Sequence, residues 1–132
     1  MNGFTLNIGQ ATLNNTDFRR VLYTGHHTQL VLMSLPASSA IGLEVHDDND
    51  QFFRFEAGQG KVVIDDNEYE VGIGSAIIVP AGARHNVVNT SETEALKLYT
   101  LYSPPHHKDG IVRPARTEAE AAEADFEGAT TE

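Results

Sequence analysis

Three side chains within residues 42–89 could together bind one transition metal. Glu44 and His46 are two residues apart in a segment with strand character, so both side chains point to the same face. His85 follows in a second segment, residues 80–89. Carboxylate oxygen and imidazole nitrogen suit Mn, Fe, Co, Ni and Zn. The chain contains no cysteine, which excludes thiolate metal sites, disulfides and cysteine nucleophiles.

The elements that would position these side chains are strands. Apolar or alternating runs separated by turn residues predict them. The predicted strands are residues 29–35, 41–46, 51–56, 61–64, 68–71, 76–79, 85–89 and 95–102, with an edge strand at 18–24 and a short strand at 4–7. No helical pattern is visible in the first 102 residues. Short strands at this spacing indicate an all-β sandwich or barrel.

The second segment carries a motif with a defined spacing. Gly74, Pro80, Gly82, His85 and Asn89 follow the pattern G-x5-P-x-G-x2-H-x3-N over sixteen residues. This pattern is the second motif of the cupin family, and the chain resembles a small single-domain cupin. The resemblance implies a jelly-roll β-barrel, and it favours that fold over an immunoglobulin-like sandwich.

The resemblance also implies a ligand set. Typical cupins carry H-x-H in their first motif, then a glutamate and a glycine. Here Glu44 stands in place of the first histidine, and His46 matches the second. Gln51, seven residues before Gly58, stands in place of the glutamate, and His85 matches the histidine of the second motif. The implied ligands of one divalent transition metal (Mn, Fe, Zn, Ni or Co) are therefore Glu44, His46, Gln51 and His85.

The glutamine leaves two alternatives open. The amide of Gln51 is a weak neutral ligand, so it either binds the metal directly or hydrogen-bonds a metal-bound water. Two histidines and one carboxylate remain in either case. They are also the ligands of non-haem Fe(II) sites that keep positions open for O2 or substrate.

Other polar residues are predicted to lie away from the metal. Two adjacent histidine pairs, residues 26–27 and 106–107, are expected on the surface, because neighbours on a strand point to opposite faces. Asp47, Asp48 and Asp50 are predicted to form a turn near the mouth of the barrel. They lack the glycine and the final glutamate of a calcium loop.

Five basic or phenolic side chains could reach an anionic substrate from the pocket wall. Strand neighbours alternate, so only some of them can face inward. They are Arg54, Arg84, Lys97, Tyr99 and Tyr102. Phe53 and Phe55 alternate onto the same face as Gln51 and are predicted to lie in the barrel core.

Length and charge set further limits. The 132 residues predict one domain, with a net charge of −10. Residues 117–132 hold six acids and no Lys or Arg. This acidity argues against binding to nucleic acids or anionic membranes, both of which need a basic surface. No signal-peptide pattern and no apolar run of 18 residues is visible, so a cytoplasmic protein is expected.

The chain is predicted to divide into three parts. Residues 1–24 form N-terminal strands or an arm, residues 25–103 the barrel core, and residues 104–132 an irregular, acidic C-terminal extension. Within this extension Thr117 and Glu120 could form a capping box, which favours a helix. Only Phe126 is available to bury, so a frayed helix or disorder is expected there.

Two functions fit the sequence. One is a metal-dependent enzyme, of isomerase or dioxygenase type, that acts on a small oxygenated metabolite. The chain is similar to small cupins labelled as mannose-6-phosphate-isomerase-like, although its few scattered basic residues weaken a sugar-phosphate substrate. The alternative is a non-catalytic barrel that binds a small ligand or metal. A homodimer is expected, because small cupins are commonly dimers and pairing covers exposed sheet edges.

Overall fold

The computed structural model describes all residues, Met1–Glu132. The elements, in chain order, are α1 (Ile8–Asn14), β1 (Arg19–Thr24), β2 (Gln29–Leu35), β3 (Glu44–Val45), β4 (Asp50–Ala57), β5 (Gln59–Ile64), β6 (Asn67–Gly72), β7 (Ala76–Val79), β8 (Arg84–Asn89), β9 (Leu96–Ser103), β10 (Val112–Arg113) and α2 (Arg116–Ala121). Neither helix has the length and apolar character that crossing a membrane requires.

The strands form two antiparallel sheets that share one core. Six strands make the first sheet, in the order β10-β1-β2-β9-β4-β7, and four make the second, in the order β3-β8-β5-β6. The buried core contains Phe53, Phe55 and Leu98 from the first sheet, and Val62 and Val87 from the second. This architecture confirms the all-β jelly roll, although the sheets are not closed into a continuous barrel.

Alternation along β4 places its residues as predicted. Gln51, Phe53 and Phe55 are 2%, 1% and 0% exposed, because every second residue of a strand points to the same face. Phe53 and Phe55 lie in the core. Gln51 is the polar member of this inward row, and its burial requires an explanation.

The segment predicted as a strand over residues 41–46 is less regular than expected. Only Glu44–Val45 forms β3, which pairs with β8. Ala40 makes an isolated bridge to Val88, and the amide of Ile41 donates to the carbonyl of Val87. The segment therefore runs beside β8 over its whole length, but it forms a regular ladder only at Glu44–Val45.

The predicted strand at residues 18–24 is present as β1, but the predicted strand at residues 4–7 was wrong. Residues 4–7 form no strand, and the helix α1 follows them, although no helix was expected in the first 102 residues. Asn7 Oδ1 accepts a hydrogen bond from the amide of Gln10 and caps the helix. Lys97 Nζ donates to the carbonyls of Leu13 and Asn15 and holds the helix against β9. Helices this short depend on tertiary contacts, so the sequence pattern is weak.

The C-terminal extension is irregular with one short helix, as predicted, but its details differ. α2 begins after Ala115, and Thr117 does not cap it. Ala119, 3% exposed, joins the core in place of the expected Phe126. Of the two alternatives expected for residues 117–126, a helix or disorder, the structure shows the short helix. Lys108 N donates to Ala124 O within the extension, and Thr131 N donates to Thr24 O of β1.

The strands β1 and β10 extend the six-stranded sheet beyond residues 25–103. β1 pairs with both β2 and β10. The division of the chain at residues 24 and 103 stays a prediction. For the site, the important consequence is that β1 and the C-terminal extension both reach the barrel mouth.

Gly58 lies at the junction of β4 and β5, where the backbone has φ +90°. A Cβ atom added there would lie 2.5 Å from the carbonyl oxygen of Ala95. Gly74 has a similar φ of +88°, but nothing lies within 4 Å of its virtual Cβ. A side chain at Gly74 would therefore meet only backbone strain, whereas a side chain at Gly58 would meet both backbone strain and steric overlap with Ala95.

We predict that Gly74→Ala lowers the free energy of unfolding by roughly 1–2 kcal/mol, the cost of a left-handed conformation for an L-residue. Gly58→Ala should cost at least about 3 kcal/mol, because overlap with backbone adds an overpacking penalty. Urea denaturation of both variants measures the difference. Equal losses would contradict the close approach at Ala95.

Candidate metal centre

The pairing of β3 with β8 brings three metal-binding side chains together. Glu44 lies directly opposite His85 in the ladder, and Val45 lies opposite Arg84. His46 follows two residues after Glu44 and points to the same side. One ligand atom from each of Glu44, His46 and His85 lies within 4.8 Å of the others. The structure therefore assembles three of the four predicted ligands into one cluster.

The turn between β7 and β8 fixes the position of His85. The amide of Gly82, which has φ +87°, donates to the carbonyl of His46 at 2.9 Å. Asp50 Oδ1 accepts a hydrogen bond from the amide of Ala81 at 2.9 Å. These hydrogen bonds attach the turn both to the end of the first motif and to the start of β4, so they connect the two motifs.

Asn89, the last residue of the second motif, has a structural role. Its Nδ2 donates to the carbonyls of Leu35 and Glu94. Its Oδ1 accepts a hydrogen bond from the amide of Ser91. The side chain therefore holds the loop after β8 against the end of β2, far along the strand from His85.

The hydrogen bonds of His85 leave one ring nitrogen available. Nδ1 lies 3.2 Å from the carbonyl oxygen of Ala83, which can only accept, so Nδ1 carries the proton. Nε2 then bears the lone pair, and it is buried without a partner in the chain. Buried polar atoms without partners are rare and costly. A metal ion is a partner that would satisfy this atom.

Gln51 has a second buried atom without a partner. Its Nε2 donates to Thr100 Oγ1 at 3.0 Å, which directs Oε1 elsewhere, and Oε1 has no partner in the chain. Gln51 lies opposite Tyr102, whose ring centroid is 5.7 Å from that of His46. An amide oxygen and an imidazole nitrogen are both metal donors. The donors present therefore fit a transition metal.

The charges at the cluster favour the states that bind metal. Burial raises the pKa of Glu44, but the hydrogen bond from His46 and the nearby positive charges outweigh it and hold the pKa below its usual value. The His46 Nε2 to Glu44 Oε2 distance is 2.9 Å. Burial lowers the pKa of His85. A carboxylate and a neutral imidazole are the forms that coordinate metals.

A cavity of about 230 Å³ opens beside the cluster. Glu44 and His46 line it together with Arg19, His106 and His107. The remaining wall comes mainly from residues 122–125 of the C-terminal extension. Small molecules of a few carbon atoms fit a space of this size.

The prediction that His106 and His107 lie on the surface was wrong. The ring centroid of His106 is 4.3 Å from that of His46, and His107 is 7% exposed. Opposite orientations were expected from strand geometry, but this segment is not a strand. Gln29 Oε1 accepts hydrogen bonds from both histidine amides, at 3.1 and 2.9 Å, and holds the segment across the barrel mouth. The other pair, residues 26–27, is exposed as predicted.

The surroundings of His106, His107 and Tyr102 keep these side chains uncharged. Burial, aided by the charge of His46, lowers the pKa of His106 to about 4. Burial also lowers the pKa of His107, whose Nε2 lies 3.2 Å from the Tyr102 hydroxyl oxygen. Burial raises the pKa of Tyr102. At neutral pH the cavity wall therefore presents the uncharged imidazoles of His106 and His107, and the adjacent phenol of Tyr102 stays protonated.

Among the five predicted wall residues, Tyr102 alone reaches the site. Arg54, Lys97 and Tyr99 alternate with inward-facing residues and lie on the outer side of the first sheet, and Arg84 is exposed on β8. The sequence did not identify Arg19 as a residue of the site. It is one of two adjacent arginines, and only strand pairing decides which one faces inward. All three aspartates after His46 are exposed: Asp47 and Asp48 lie in the turn, and Asp50 begins β4.

Comparison with known proteins agrees with the fold and the motifs. The family model of the cupin domain matches residues 31–102, more than half of the chain. This protein belongs to the cupin family. The matched range contains all four predicted ligands, whereas Arg19 and His106 lie outside it.

Similar proteins include one from Bacillus subtilis (strain 168) described as uncharacterized protein YrkC. It is 45% identical over 126 residues, covering 91% of this chain and 67% of YrkC. An uncharacterized protein of Acanthamoeba polyphaga mimivirus is 40% identical over 119 residues, covering 88% of this chain and 74% of its own length. The crystal structure of BH2720 from Bacillus halodurans matches with a TM-score of 0.88 and 43% identity, covering 90% of this chain and 94% of BH2720.

We predict that the metal-free protein loses stability as pH is lowered from 6.5 towards 4. In this range the unfolded chain protonates His106 while the native state, with a pKa of about 4, does not, so protons favour unfolding. The lowered pKa values of His85 and His107 act in the same direction. Urea denaturation in the presence of a chelator, repeated across this pH range, measures the slope.

The variant His106→Asn should lose less stability over the same range. His26→Asn, a change of an exposed histidine, serves as the matched control and should keep the wild-type slope. A slope unchanged in His106→Asn would contradict the environment described for this ring.

Proposed function

We propose that the protein is a metal-dependent enzyme in which Glu44, His46 and His85 bind one divalent transition metal. Gln51 is the fourth ligand, through Oε1. The observation that carries this proposal is the pair of buried atoms without partners in the chain, His85 Nε2 and Gln51 Oε1. The cluster of Glu44, His46 and His85 supplies the remaining donors.

The two-histidine, one-carboxylate set supports an open metal centre. Such sets leave coordination positions for substrate or O2 in iron enzymes, and the cavity adjoins Glu44 and His46. A metal bound there would polarise an oxygen of the substrate or activate O2. Mn, Fe, Co, Ni and Zn all suit these donors, so we propose a divalent transition metal and not one particular element.

The histidines of the cavity wall supply hydrogen-bonding groups. His106 lines the cavity and, with a pKa of about 4, is a neutral imidazole that can hydrogen-bond a substrate. Tyr102 stays protonated, and its hydroxyl oxygen lies 3.2 Å from His107 Nε2. The reaction classes we propose are isomerisation of a small oxygenated metabolite and its O2-dependent cleavage. The mannose-6-phosphate-isomerase-like grouping and the cytoplasmic location stay predictions.

We predict that the purified protein contains close to one transition metal per chain, measured by elemental analysis after loading. His46→Ala and His85→Ala should each lose at least about tenfold in metal affinity, because loss of a supporting group alone costs 10–100-fold. Gln51→Ala should weaken binding less, since an amide is a poorer donor. His26→Ala is the control and should bind like the wild type.

A wild-type protein that binds no metal under any loading would overturn the proposed function. Metal binding without turnover of any small oxygenated substrate would instead favour the non-catalytic binding barrel. Circular dichroism of each variant shows whether it is folded, which keeps loss of binding distinct from loss of structure.

We also propose that the protein forms a homodimer through the outer face of the six-stranded sheet. An apolar row crosses four strands there, since Leu30 pairs with Leu101, Leu101 with Phe52, and Phe52 with Ile78. Ile78 is 68% exposed and lies on the edge strand β7. Exposed apolar rows on edge strands favour association.

We predict that Ile78→Asp converts a dimer into a monomer, because it places a charge within the contact. Ile73→Asp is the matched control, since Ile73 is 78% exposed but lies in the turn after β6. Light scattering after size exclusion gives the mass of each. A wild-type monomer, or a dimeric Ile78→Asp, would exclude this interface.

A further inference from the structure

Arg19 is a buried arginine with no protein partner for its charge. It is 9% exposed and lines the cavity beside Glu44 and His46. Its guanidinium forms no hydrogen bond or ion pair with any residue, and Nε is buried without a partner. The ring of Phe18, 5.4 Å from the guanidinium carbon, is its one recorded interaction.

Three other arginines of the chain, although more exposed, have partners for their side chains. Arg20 pairs with Asp17, Arg116 pairs with Glu120, and Arg113 donates to the carbonyl of Ala122. Burying a charge without a partner is costly, and proteins usually avoid it. Arg19 is therefore buried without a partner, whereas the adjacent Arg20 is exposed and paired with Asp17.

The surroundings of Arg19 raise this cost further. Arg113 lies directly opposite it in the β1–β10 ladder, and like charges in that position repel. The positive charge of Arg19 lowers the pKa of Glu44, but the two groups form no ion pair, and Glu44 Oε2 pairs with His46 instead. An anion in the cavity would neutralise Arg19 without disturbing the metal cluster.

We propose that Arg19 binds a carboxylate group of the substrate, and that the protein acts on small carboxylic acids. This inference rests on the proposed metal site, which would hold a second oxygen group of the same molecule. The planar guanidinium matches a carboxylate through two parallel hydrogen bonds. The cavity of about 230 Å³ has room for an acid of a few carbon atoms.

The other charges of the cavity favour a carboxylate over a phosphate. Glu123 and Asp125 of the C-terminal extension also line the cavity, and no lysine does. With Glu44 the cavity has three carboxylates and one guanidinium, a balance that suits a singly charged carboxylate group better than a phosphate dianion. Phosphate sites usually combine several donors.

Calorimetric titration of the metal-loaded protein with malonate tests the proposal. Malonate should bind the wild type, and Arg19→Met should weaken binding at least tenfold while metal content stays unchanged. Arg20→Met, which alters the adjacent exposed arginine, should bind malonate like the wild type. The neutral isostere malonamide should bind the wild type at least tenfold more weakly than malonate.

Thermal melting separates a binding role from a structural one. Without metal and malonate, Arg19→Met should melt at or above the wild-type temperature, because it removes a buried charge that lacks a partner. Malonate should raise the melting temperature of the wild type and not that of Arg19→Met. A lower melting temperature for Arg19→Met that malonate still raises would assign Arg19 a structural role and overturn the proposal.

Three further outcomes would overturn the carboxylate site: no binding of malonate by the metal-loaded wild type, equal malonate affinity in Arg19→Met, or tighter binding of inorganic phosphate than of malonate. Failure of the metal proposal looks different. In that case elemental analysis finds no metal in the loaded wild type, while Arg19-dependent malonate binding persists and supports the anion site alone.

Discussion

The ladder between β3 and β8 is the constraint on which the site depends. It spans only two residue pairs, yet it places Glu44 opposite His85 and directs His46 to the same side. The hydrogen bond from Gly82 N to His46 O attaches the turn before β8 to the end of β3. A slip of one residue in this register would turn His85 away from the barrel interior, because side chains alternate along a strand.

Around this ladder the protein keeps polar atoms in places where an apolar core would be more stable. His85 Nε2, Gln51 Oε1 and Arg19 Nε are buried without partners in the chain. Each costs free energy that the packed core must offset. These three atoms lie at the end of the barrel where Phe53 and Phe55 give way to polar residues, whereas Arg54 Nε, also without a hydrogen-bond partner, lies on the outer side of the first sheet. Proteins commonly accept this loss of stability where a ligand completes the bonding.

The C-terminal extension gives the barrel mouth its particular shape. Gln29, a buried residue of β2, holds the backbone of His106 and His107 across the opening. Arg113 holds Ala122, so residues 122–125 form the outer wall. Irregular segments on a rigid scaffold can carry specific side chains without altering the sheets. The family motifs lie in the scaffold, whereas these wall residues lie outside the matched range.

The sequence by itself predicted most of the strands, because alternation is local and visible in the chain. The jelly-roll class and the grouping of Glu44, His46 and His85 came from the resemblance of its motifs to those of cupins; metal binding by the cluster stays a prediction. Only the tertiary structure decided that α1 is a helix, that Arg19 rather than Arg20 faces the cavity, and that His106 lies beside His46. These placements depend on docking and on hydrogen bonds between distant residues, such as Gln29 to His107, and such contacts leave no periodic pattern in the sequence.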